Sequence, residues 1–178
     1  MADPTPALDA AKAQQFMRMS ETANLTRRMR SGGNTFYWIA ALSLVNSLVA
    51  IFGGGIYFVT GLGATLFVDG LASGLARELG SSAIILTVGF LISLFIDGIV
   101  AMFGYFAGKG NRWAFITGMV FYFLDALLLL AFQDWLAVAF HAYFLWLLWT
   151  GLQALGRLKT LTAPAADVNA FPKDFGGA

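Results

Sequence analysis

Four long apolar stretches constrain the fold of this chain more than any other feature. They cover about residues 35–52, 83–107, 113–132 and 135–155, close to the roughly 20 residues that a helix needs to cross a bilayer. The whole chain is only 12% charged, whereas a soluble domain is about a quarter charged. The sequence therefore predicts an all-α integral membrane protein, a bundle of four transmembrane helices.

The polar N-terminal region, residues 1–33, is predicted to form a cytoplasmic helix. Gly32-Gly33-Asn34 follows it directly and is interpreted as its end. Its C-terminal part is rich in arginine, which is typical of a basic helix on the membrane surface. Because its apolar stripe is thin, a solvated helix or tether is the alternative.

The basic residues predict the orientation of the chain. With the N-terminus in the cytoplasm, every Lys and Arg except Arg77 falls on the cytoplasmic side of the four spans, as the positive-inside rule requires. The cations expected at the membrane surface are Arg27, Arg28, Arg30, Lys109, Arg112, Arg157 and Lys159. Residues 34–157 form the predicted membrane domain, residues 158–178 a polar cytoplasmic tail. An N-terminus that contains acidic residues favours a bacterial plasma membrane over an organelle.

A glycine-rich segment, residues 53–80, separates the first and second spans. A fifth span here would move Lys109 and Arg112 outside, against the positive-inside rule. The segment is therefore predicted to be re-entrant or interfacial, with both alternatives open. Its polar residues recur every four positions and would form one edge of a short helix. They are Thr65, Asp69, Ser73 and Arg77.

Polar residues inside the predicted spans are the candidate functional site. Asp97 and Asp125 would each cost about 2.5–3.5 kcal/mol at a helix centre. They lie about 16 and 18 Å from the cytoplasmic ends of two antiparallel helices, at 1.5 Å per residue. Asn46 and His141 fall at similar depth, with His141 the less certain member because its helix face is apolar. The layer is either a proton or cation relay or a hydrogen-bonded clasp that fixes helix register.

Two further features concern packing and cofactors. Gly104 and Gly108 are one helical turn apart and predict close helix packing. His141 lies among aromatic residues, so it is a candidate axial ligand for haem or another tetrapyrrole, with a hydrogen bond across helices as the alternative. No other cofactor and no metal site is predicted, since the chain has no cysteine and no metal-ligand spacing.

No phosphate-binding loop or protease motif occurs, so the chain is not expected to be an enzyme. Two function hypotheses remain open. The first is an accessory or scaffold subunit of a larger membrane complex. The second is a homo-oligomeric transporter or channel, coupled to protons or cations through Asp97 and Asp125. The expected partners are the lipid bilayer and other membrane subunits or further copies of the chain, and a net charge of +1 gives no reason to expect nucleic acid.

Overall fold

The computed structural model describes residues 5–52, 61–80 and 82–163. Its five helices are α1 (Thr5–Ile51), α2 (Gly63–Leu79), α3 (Ser82–Gly108), α4 (Arg112–Ala131) and α5 (Trp135–Thr162). By length and composition, α1, α3, α4 and α5 could each cross a membrane. The prediction of an all-helical chain with four candidate spans is confirmed, and integral membrane location is what these helices suggest.

Helix α1 is continuous through Gly32-Gly33-Asn34, so the helix end predicted there is wrong. A Cβ at Gly32 would lie 2.6 Å from Gly151 Cα on α5. A Cβ at Gly33 would lie 2.8 Å from Gly108 N on α3. A glycine inside a helix costs about 1 kcal/mol relative to alanine, but here the missing side chains let three helices touch backbone to backbone. The glycines are packing sites rather than a helix terminus.

The apolar core lies where α1 crosses the other helices. Phe36 is 1% exposed, and its ring centroid lies 6.1 Å from that of Phe103 and 6.4 Å from that of Phe115. Gly104 borders the same crossing, since a Cβ there would lie 3.2 Å from Phe36 Cβ. These close contacts hold α1 between α3, α4 and α5.

One end of the bundle carries the basic residues. The turn between α3 and α4 lies beside α1 and α5 at this end. A Cβ at Gly110 in the turn would lie 3.5 Å from Leu155 on α5 and 3.6 Å from Met29 on α1. All seven cations expected at the membrane surface have exposed side chains near these three segments. The structure therefore brings them together at one end of the molecule.

Helix α2 begins inside the bundle and runs antiparallel to α3. Gly63 and Thr65 at its start are buried. Ala72 of α2 packs closely on Gly89 of α3, since a Cβ at Gly89 would lie 2.5 Å from the Cβ of Ala72. The helix ends at Gly80, whose φ of 67° is the left-handed conformation that often follows a helix C-terminus. Thus one end of α2 is held among the other helices at the level of the predicted polar layer.

Candidate functional site

The structure places all four members of the predicted polar layer in the interior. Their exposed fractions are 0% for Asn46, 4% for Asp97, 8% for Asp125 and 0% for His141. However, the two aspartates do not form one carboxyl pair. They belong to two separate clusters, which we call the capped cluster, around Asp125, and the open cluster, around Asp69 and Asp97.

The capped cluster joins α4 and α5 to the N-terminus of α2. Asp125 Oδ2 accepts a hydrogen bond from the backbone N–H of Gly63 at 2.8 Å, and Oδ1 accepts one from Ala64 N–H at 2.7 Å. The Nε2 atom of His141 lies 2.9 Å from Asp125 Oδ2. Both carboxyl oxygens therefore have partners, one of them two.

This arrangement follows from how α-helices end. The first N–H groups of a helix have no partner within it and carry partial positive charge. For α2 these groups are buried, so an acceptor is required, and α4 supplies the Asp125 carboxyl. The helix thereby acquires a cap from a residue more than 60 positions away in the sequence.

The hydrogen bonds of His141 define where one proton lies. Its Nδ1 atom is 2.8 Å from the carbonyl oxygen of Ala137 and must donate to it, since a carbonyl only accepts. The contact between Nε2 and Asp125 then needs one more proton, carried by the imidazole or by the carboxyl. Either form is neutral overall. Tyr122 stacks on the imidazole with centroids 4.3 Å apart and closes this side of the cluster.

The open cluster lies between α1, α2 and α3. Ser93 Oγ donates to Asp69 Oδ1 at 2.8 Å, and the hydroxyls of Ser43 and Thr65 lie 2.7 Å apart. The Ser43 hydroxyl lies close to the Asp97 carboxyl but outside hydrogen-bonding geometry, and the Asp69 carboxyl is within electrostatic range of it. Yet, within the described residues, neither oxygen of Asp97 has a hydrogen bond, and Asp69 Oδ2 has none either.

The predicted stripe on the segment at residues 53–80 is only partly at the site. Thr65 and Asp69 are buried in the open cluster, whereas Ser73 is half-buried and Arg77 is exposed. Asp69, rather than Asp125, is thus the carboxyl neighbour of Asp97. Residues 53–60 of that segment lie outside the described residues, which resume at Gly61.

Three participants of the capped cluster were not predicted from the sequence. The backbone N–H groups of Gly63 and Ala64 leave no signal of their own, because any residue carries them. Tyr122 lies three positions before Asp125, on the same face of α4. That spacing could have identified Tyr122 as a neighbour.

Two cavities border these clusters. A cavity of about 270 Å³ lies between α1, α3 and α4 and is lined by Asp125 and Tyr122 among apolar side chains. A much smaller one, about 10 Å³, lies beside Asp69 and Ser73. Its volume is about that of one water molecule. No group of three His, Cys, Asp or Glu side chains that could hold a metal ion occurs in the part of the chain that the structure describes.

Comparison with known proteins adds no assignment to this geometry. No family model matches the chain, and neither a curated protein nor a solved structure matches it.

Proposed function

We propose that this protein transports protons or a small monovalent cation across a membrane, with Asp69 and Asp97 as its binding carboxyls. The observation that carries the proposal is the state of three buried carboxyl oxygens, Asp69 Oδ2 and both oxygens of Asp97. None of them has a hydrogen-bond partner among the described residues. Buried carboxyl groups without partners are costly and mark ion and proton pathways in membrane proteins.

A purely structural clasp would be built differently. The capped cluster shows that this bundle can satisfy a buried carboxyl on both oxygens. The open cluster leaves the same chemical group unsatisfied at similar depth, next to a second carboxyl. A proton or monovalent cation placed between Asp69 and Asp97 would remove one of the two negative charges and supply the missing interactions.

The surroundings of Asp69 support access from one side. The cavity of about 10 Å³ beside Asp69 is bordered by Ala50 and Ile51 near the end of α1 and by Leu86 near the start of α3. Toward the cationic end, Phe36, lying against Phe103, separates the clusters from that surface. In the proposed mechanism the ion therefore enters from the end opposite the basic residues, and a rearrangement of the core opens the other side.

In this proposal α2 is a re-entrant helix. Its N-terminus lies at the level of Asp125, about 18 Å from Trp113 at the start of α4. The cationic end faces the cytoplasm of a bacterial cell, with both chain termini inside. A buried helix start is tolerated at membrane depth when its backbone groups are satisfied by protein, as they are here by Asp125.

The proposal includes no catalysis and no cofactor. Both ring nitrogens of His141 are engaged, one by Ala137 and one by Asp125. An axial ligand needs a nitrogen free for the metal. The tetrapyrrole hypothesis therefore has less support than the transport hypothesis.

Flux into proteoliposomes tests the proposal. Purified protein is reconstituted with a pH-sensitive or sodium-sensitive dye inside, and an ion gradient is imposed. Flux of one of these ions is expected for the wild type and should fall at least about tenfold in Asp97→Asn and Asp69→Asn, since a fixed neutral side chain cannot exchange a proton or balance a cation.

The matched control is Glu78→Gln, which removes a carboxylate from the exposed end of α2. It should leave flux unchanged. Equal flux in wild type, both aspartate variants and protein-free vesicles would contradict the proposal, provided the variants elute as folded protein.

The accessory-subunit hypothesis remains a second candidate because two glycines of α2 face open space within the described chain. A Cβ at Gly70 or Gly74 of α2 would meet nothing within 4 Å, and Phe67 and Leu71 beside them are more than half exposed. Small residues four apart on a helix favour close association with another helix. Gentle extraction from the native membrane, followed by native mass spectrometry, separates the candidates. A large hetero-complex would favour the subunit, and a homo-oligomer would favour the transporter.

A further inference from the structure

The cavity of about 270 Å³ borders the capped cluster, and the proposed transport does not use it. Aromatic rings from three helices line it, those of Phe36 on α1, Phe103 on α3 and Phe121 on α4. Val100 and Leu62 add aliphatic surface. Its walls are almost wholly apolar, as is typical of a site for an apolar molecule.

One end of the cavity is polar. Tyr122 and Asp125 line it there, and they interact electrostatically. The Tyr122 hydroxyl is buried and has no hydrogen-bond partner among the described residues. A buried hydroxyl without a partner is unfavourable, so a ligand whose oxygen accepts a hydrogen bond would satisfy it.

The depth of the cavity restricts what can enter. Ile99 and Phe121 line it and are also exposed on the bundle surface, at 36% and 57%, so they form its rim. Ile99 is about 13 Å along α3 from Gly108 at the cationic end, at 1.5 Å per residue. In a bilayer with a hydrocarbon core of about 30 Å this is close to the midplane, where phospholipid headgroups do not reach.

We propose that this cavity binds a lipid-soluble para-quinone from the membrane interior. The quinone ring packs among the phenylalanine rings, one carbonyl oxygen accepts a hydrogen bond from Tyr122, and the tail leaves between Ile99 and Phe121. Such a molecule combines the three properties that the cavity selects: a flat apolar ring, an acceptor oxygen and residence at the bilayer midplane. The inference concerns binding alone, and it does not rest on ion transport.

Quenching of tryptophan fluorescence by a decyl-substituted benzoquinone tests the inference. The protein is placed in phospholipid nanodiscs, where Trp113 reports on the cavity because its ring centroid lies 6.2 Å from that of Phe103. The wild type should show saturable quenching above the linear contribution of quinone dissolved in lipid. Tyr122→Phe should raise the dissociation constant about tenfold, since it removes the hydrogen bond to the carbonyl.

Tyr122→Phe also separates binding from folding. Because the hydroxyl has no hydrogen-bond partner among the described residues, its removal should not lower the unfolding midpoint measured without quinone. Val100→Phe fills the cavity and should abolish saturable quenching. Val88→Phe adds the same volume to the same helix at a position that is 51% exposed, and it should bind like the wild type.

Two results would overturn the inference. One is quenching that is linear in the wild type and equal in Val100→Phe. The other is saturable binding that Tyr122→Phe leaves at full strength, since the carbonyl would then not be at the polar end. If Val100→Phe fails to fold, the comparison of Tyr122→Phe with the wild type decides alone.

Discussion

The capped and open clusters put the same side chain to different uses at similar depth. Asp125 accepts hydrogen bonds from two backbone N–H groups and contacts a histidine. Asp97 has no hydrogen bond to either oxygen within the described residues, and its carboxyl neighbour Asp69 has one. The difference lies in donors, because a helix start and an imidazole surround Asp125, whereas serine hydroxyls and another carboxyl surround Asp97.

That difference shows that burial alone does not identify a functional aspartate. Both carboxyls are more than nine-tenths buried, and both would be expensive in lipid. Where the donors are fixed parts of the fold, as for Asp125, the group holds α2 in place. Where they are missing, as for Asp97, the group is suited to a mobile proton or ion.

The largest loss of stability is expected when the cap on α2 is removed, and it tests the difference between the two clusters. Asp125→Ala leaves the N–H groups of Gly63 and Ala64 and the ring of His141 without their acceptor. Removal of one partner from a buried charged network costs about 3–5 kcal/mol. Unfolding by SDS titration in mixed micelles should show a loss of this size. Asp125→Asn should also destabilise, since an amide accepts on only one of its two heteroatoms. Wild-type stability in both variants would remove the distinction between the clusters.

A smaller loss is expected when the histidine is replaced. His141→Phe keeps a ring to stack on Tyr122 but removes the contact with Asp125. The hydrogen bond from Nδ1 to the Ala137 carbonyl is also lost, but the two backbone donors to Asp125 remain. The cost should therefore be about 1–3 kcal/mol, the penalty of leaving a buried polar group without its partner. The same titration measures it. A loss as large as that of Asp125→Ala would mean that the imidazole, rather than the start of α2, is the main partner.

The sequence was sufficient to predict the four candidate spans, but not the full length of α1 or the contacts between the helices. Apolar runs and charge counting predicted four candidate spans, because lipid imposes length and composition on each span separately. Depth along a helix could also be computed, since rise per residue is constant. Asn46, Asp97, Asp125 and His141 are all buried.

Which polar groups meet depends on helix rotation and on α2, and neither is visible in composition. The apolar neighbours of His141 on α5 made it the less certain member of the predicted layer, yet it contacts Asp125. The glycines Gly32 and Gly33 looked like a helix end because glycine is a poor helix former in isolation. Their actual role depends on Gly151 and Gly108, far along the chain. Tertiary contacts of this kind override local propensity.

Within the open cluster, Ser93 provides a mild test. Ser93→Ala removes the only hydrogen bond that the described residues make to the Asp69 carboxyl. The cost should be about 1 kcal/mol, near the net value of a single hydrogen bond. SDS titration resolves this from the loss expected for His141→Phe. A much larger loss would show that Asp69, like Asp125, holds the helices together.

The smallest effect on stability should accompany the largest effect on transport. Asp97→Asn replaces a carboxyl that has no hydrogen bond to lose, so the free energy of unfolding should change by less than about 1 kcal/mol. A small gain in the stability of Asp97→Asn would also agree with the difference between the two clusters, because an amide is cheaper to bury than a charge. The variant should thus unfold like the wild type in SDS while its proteoliposomes lose ion flux. Loss of stability matching that of Asp125→Ala would show that the two clusters do the same structural work, and the assignment of the open cluster to ion binding would then have no support.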